Sequence, residues 1–76
     1  MPDHHVIADL DEVDQHIADG ERRISDIAAR IEQGRAVGRD TSLAEELLRL
    51  MHETVEQWRI QRQLIVEALD REQRER

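Results

Sequence analysis

Apolar residues in this chain recur at alternating intervals of three and four. One column runs Val6, Leu10, Val13, Ile17, Gly20, Ile24, Ile27, Ile31, Gly34, and a second runs Ala44, Leu48, Met51, Val55, Trp58, Arg62, Ile65, Leu69. This spacing marks the seam of a coiled-coil-like helix. It predicts one helix over about residues 5–36, a turn over about 37–41 and a second helix over about 42–72. Folded back near Gly38, the columns meet antiparallel and layer by layer. Ile31 faces Leu48, Ile27 faces Met51 and Ile24 faces Val55, while Trp58 falls opposite Gly20, a position with no side chain. The expected fold class is all-α: an antiparallel two-helix hairpin forming a single domain over residues 1–76. Its core is expected to hold Ile17, Gly20, Ile24, Ile27, Ile31, Leu48, Met51, Val55, Trp58 and Ile65.

The ends of the helices carry their own signals. Gly38 suits a left-handed C-cap or loop residue. Ser42 followed by Glu45 has capping-box spacing, which favours Ser42 as the start of the second helix, with Asp40 the next choice. At the first helix, Asp9 and Glu12 share that spacing, yet Val6 continues the column upstream, so the start is expected between Asp3 and Asp9. The polar tail Asp70-Arg71-Glu72-Gln73-Arg74-Glu75-Arg76 is expected to fray. At 1.5 Å per residue, each helix spans roughly 45–50 Å.

A further stripe lies beside the seam of the second helix: Leu43, Leu47, Leu50, Thr54, Gln61, Leu64 and Ala68. Together they give that helix an apolar arc of roughly 200°, wider than one partner helix covers. The first helix has only small residues, Ala18, Ser25 and Ala28, flanking its seam. The expectation is a homodimer, two hairpins forming a four-helix bundle with Leu43, Leu47, Leu50, Thr54, Gln61 and Leu64 at the interface. A helical protein of another kind is the competing partner. Ile60 is a lone bulky apolar residue on the outer face, a common occurrence.

Composition narrows the function. The chain has no Cys, Phe or Tyr, a single Pro at position 2, and eleven basic residues, all arginine. That excludes a disulfide framework and a Cys-based zinc site. The net charge of −7 disfavours nonspecific binding to nucleic acid or anionic lipid. No apolar run approaches the ~20 residues of a membrane span. The start Met1-Pro2-Asp3-His4-His5 lacks the basic and apolar regions of a signal peptide, which points to the cytoplasm. Acids at Asp3, Asp9, Asp11, Glu12, Asp14, Asp19 and Glu21 precede the first arginine, and folding places them beside Arg59, Arg62, Arg71, Arg74 and Arg76. Each exposed pair is worth only ~0.2–1 kcal/mol, so these charges specify direction rather than stability.

Candidate chemistry is sparse. Glu12 with His16, and His52 with Glu56, are i,i+4 neighbours that could supply two metal ligands each. The Glu-x-x-His pattern of di-iron bundles is absent, because Arg49 stands three before His52. Neither pair is on a seam, so they read as solvated histidines, as do His4 and His5. Arg62 is expected to pack its stem while its head reaches Asp14, His16 or Glu21. No nucleophile–base spacing or Gly-rich phosphate loop appears. The expectation is therefore no enzyme, no catalytic residue, no cofactor, no metal and no small-molecule substrate.

The stretches His16-Ile17-Ala18-Asp19-Gly20-Glu21-Arg22-Arg23-Ile24 and Gly38-Arg39-Asp40-Thr41-Ser42, with the helix from Ala44 to Thr54, resemble a group of short alphaproteobacterial helical-hairpin proteins. The resemblance implies a shared hairpin with Asp40 and Thr41 shaping the turn, and it carries no activity or site residues with it. The expected role is a small non-enzymatic protein–protein interaction or regulatory module. The alternative is a dimeric bundle that binds RNA or DNA across one face, in the architectural manner of the plasmid regulator Rop. The scattered arginines and the absence of stacking aromatics make that reading the weaker one.

Overall fold

Leu, Glu, Arg and Gln dominate the second predicted segment, Ala, Ile, Asp and Arg are the commonest residues of the first, and no proline interrupts either, so packing of the apolar column more than propensity makes the first a helix. The computed structural model describes the backbone of residues 4–75 and the side chains of residues 8–75. Val6, His4 and His5 therefore have side chains outside the described ones, and Asp3 and Arg76 lie outside the described residues altogether. The protein is all-helical: α1 spans His4–Ala36 and α2 spans Ser42–Arg74. The tail, expected to fray, continues as helix through Arg74, where the Glu75 amide donates to the Arg71 carbonyl.

The turn is built by backbone hydrogen bonds. The Arg39 amide donates to the Gly34 carbonyl at 2.8 Å, and the Gly38 amide donates to that of Arg35 at 3.1 Å. These are the two bonds of a Schellman motif, which needs a left-handed residue at its C′ position. Gly38 takes it with φ +74°, the only positive φ among the described residues. The start of α2 departs from the expected capping box. Thr41 holds the N-cap position without a side-chain cap bond. The Asp40 carboxylate instead accepts hydrogen bonds from both the amide (2.9 Å) and the hydroxyl of Ser42. Glu45 is drawn away from any capping role by Arg35 and by the Thr41 hydroxyl. An ionised carboxylate is a stronger acceptor than a hydroxyl, and Arg35 offers Glu45 a charged partner.

The helices pack antiparallel along their whole length into a rod with extents of 61 × 14 × 13 Å. Every described position of the two columns is buried or half-buried. The most enclosed side chains are Val13, Ile31 and Val55, each at most 5% exposed. One layer differs from expectation. The notch at Gly20 is filled by Val55, not by Trp58: a Cβ at Gly20 would lie 2.5 Å from Val55 Cγ2. Trp58 sits next to the notch and stacks on His16, with ring centroids 4.5 Å apart and planes 15° from parallel. The backbones are close enough at Gly20 to admit a methyl group but not an indole, so the ring lies flat on the neighbouring imidazole instead.

Candidate interaction face

α2 presents two faces to two environments. Its seam faces α1, and its second stripe, one position earlier in each turn, does not. Leu43 is 88% exposed and Leu64 59%, with Leu47 and Leu50 also exposed. Thr54 and Gln61, expected in the same stripe, are exposed as well. The Thr54 hydroxyl donates back to the Leu50 carbonyl at 3.0 Å, so it has no need of a solvent partner. The stripe is thus a run of apolar and neutral polar side chains with no charge along it.

Shallow clefts between the helices show which part of α1 borders this stripe. Gln61 and Trp58 share a cleft with Asp9, Glu12 and His16. Thr54 shares the next with Asp19, Gly20 and Arg23. Near the turn, Arg30 and Val37 line a cleft with Ala44. The stripe of α2 and a charged column of α1 therefore form one continuous side of the rod. By helical spacing that column carries Asp9, Glu12 and Asp19 toward the chain start and Arg23, Asp26 and Arg30 toward the turn, so it is acidic at one end and weakly basic at the other.

The opposite side carries the cross-helix ion pairs. Arg59 pairs with Glu21 in a cleft shared with Ile24 and His52. Arg35 pairs with Glu45. Arg62 Nε donates to Asp14 Oδ1 at 2.6 Å, its stem half-buried in the seam, as the sequence led us to expect. Asp14, Glu21 and Arg35 are separated by multiples of seven and share one face of α1. On the outside of α2, Arg49 bridges Glu46 and Glu53. Hydrogen bonding to Arg49 holds the Glu46 carboxyl below its usual range and raises the Arg49 guanidinium. Hydrogen bonds from the Ser42 hydroxyl and amide likewise lower Asp40. Among the described residues, Arg23 and Arg30 have no carboxylate within 4.0 Å, and both belong to the side that carries the stripe.

The histidines lie apart from one another. His16 Nε2 is 3.6 Å from Glu12, while its ring covers Trp58. His52 and Glu56 border the cleft on the other side. Among the described residues, no three His, Asp or Glu side chains converge as a metal set. Among the described residues, no helix is long and apolar enough to cross a membrane either. The His16–Trp58 stack was not anticipated from sequence. Its signal was present, because His16 borders the α1 seam on the side facing the stripe and Trp58 is a seam residue of α2. Comparison with known protein families, curated proteins and solved structures gives no match to this chain.

Proposed function

We propose that the protein is a small, non-enzymatic interaction or regulatory module that works as part of a helical bundle, with the outer stripe of α2 as its contact surface. In this reading two hairpins pair into a dimeric four-helix bundle. The observation that carries it is the uncovered row Leu43, Leu47, Leu50 and Leu64, spaced as a second seam on a helix whose first seam is already occupied. Helices of soluble proteins expose single apolar residues commonly, but not a periodic row of leucines. Arginine pairing with carboxylates at Arg22, Arg35, Arg49, Arg59, Arg62 and Arg74 favours a protein partner over a nucleic-acid backbone.

Sedimentation equilibrium tests the proposal. The wild-type chain is expected to be a dimer at micromolar concentration, and Leu47→Glu is expected to be a monomer of similar helix content. A folded wild-type monomer at that concentration overturns the bundle.

A further inference from the structure

The hairpin has an accessible surface of 6108 Å² at a mass of 8.9 kDa. A compact monomer of that mass exposes about 4,800 Å². The excess, about 1,300 Å², exceeds the ~800 Å² that each partner contributes to a stable interface. The rod therefore has surface enough for an interface of that size, and the charges decide how a second copy lies.

The uncovered row is nearly symmetric about Thr54. Leu47 and Gln61 lie seven residues to either side of it, and Leu43 and Leu64 about three turns to either side. Reversing one α2 against another about that point sets Leu43 against Leu64 and Leu47 against Gln61. Thr54 shares its cleft with Arg23, so the same reversal brings the middle of each α1 beside the middle of the other. The acidic half of one α1 column then runs along the basic half of its partner. Arg30 comes level with the partner's His16, within one helical turn of the partner's Glu12 and the partner's Asp19. A parallel pairing would instead set Asp9, Glu12 and Asp19 each level with its own copy. It would also bring together the two most charged ends. Residues 23–57 hold five arginines against seven acids, a net −2, which leaves −5 of the total −7 at the end away from the turn.

We propose that a second copy of this chain docks on the stripe of α2 in the antiparallel sense, about a two-fold axis at the level of Thr54 and Arg23, with the two turns at opposite ends of the bundle. The proposal rests on the dimeric reading above and names its geometry. Arg30 comes within reach of the partner's Glu12 and the partner's Asp19, the two copies of Arg23 flank the axis, and the Leu-rich part of each α2 covers the Trp58 region of the other.

The chain has no cysteine, so single labels are unambiguous. A nitroxide on Arg39→Cys lies in the turn, fifteen residues from Thr54 along the rod. Antiparallel docking separates two such labels by about 45 Å, at 1.5 Å per residue in each direction. Parallel docking leaves them within ~20 Å, the spacing of neighbouring helices plus the label arms. Pulsed electron–electron resonance giving the long distance supports the proposal. The short distance in a dimeric sample overturns the orientation and leaves the dimer standing. A monomer by sedimentation, with no intermolecular distance, overturns both. As a second variant, Arg30→Glu is expected to weaken dimerisation at least tenfold and to leave helix content unchanged. Unchanged dimerisation of that variant overturns the charge pairing.

Discussion

Gly20→Ala sets two opposed effects against each other at the most constrained point of the rod. In a helix interior, alanine is favoured over glycine by about 1 kcal/mol. At this position, however, the new Cβ would lie 2.5 Å from Val55 Cγ2. Val55 is 4% exposed and β-branched, and a helical valine has one strongly preferred χ1 rotamer. It cannot swing aside without entering its own preceding turn, so the helices must separate by roughly an ångström. Overpacking of this kind costs about 1–3 kcal/mol. The expected net result is a loss of about 1 kcal/mol, seen as a Tm lower by about 4–8 °C for a domain of this size. Val55→Ala alone removes two carbons from the notch and costs about 1.6 kcal/mol at ~0.8 kcal/mol per group, plus any cavity term. In the double variant the clash is gone and the helical gain returns. The double-mutant cycle is therefore expected to show a favourable coupling of about 1–3 kcal/mol. The assay is thermal or urea unfolding followed by circular dichroism at one fixed protein concentration, because association adds to apparent stability. A Gly20→Ala protein more stable than wild type, with an additive double variant, would refute the placement of Val55 in the notch.

Two further outcomes test the turn. Gly38→Ala is expected to lose about 1–2 kcal/mol from the left-handed φ alone, since no atom lies within 4 Å of the new Cβ; an unchanged Tm would contradict the Schellman geometry. The Asp40 carboxyl titrates below its ordinary value of 3.8 because it accepts hydrogen bonds from Ser42, so its contribution is complete above that pH and is lost as pH falls through the lowered value. Asp40→Asn is expected to flatten the acid limb of the Tm–pH curve below 3.8, and superimposable limbs would show that Asp40 has no such part.

The hairpin was legible because a three–four spacing has few alternative explanations, and every described seam position is shielded as that spacing requires. The place of Gly38 was legible for a similar reason: a C′ glycine after a periodic run has one common use. The layer at Gly20 was not. Sequence columns fix which residues face inward, but antiparallel knobs fit between opposing residues, and a shift of half a layer exchanges Val55 for Trp58. Side-chain volume suggested the indole, whereas the close approach of the backbones admits only a methyl. The start of α2 at Ser42 was legible, but its cap was not, because capping-box spacing says nothing of competitors. Arg35 lies ten residues from Glu45 in sequence and only the closed turn brings them together. The exposed stripe was visible as a pattern, but its continuity with the acidic-to-basic column of α1 emerges only once the helices are side by side.

The ion pairs of Arg35, Arg59 and Arg62 give the rod a laced edge, and the row of leucines gives it a bare one. Salt acts on one of these edges and spares the other. Screening loosens the lacing, while leaving the apolar edge as eager for cover as before. A molecule built so has a back and a front, and in the proposed dimer the lacing stays outermost, facing water, where charge would keep finished pairs from sticking to one another.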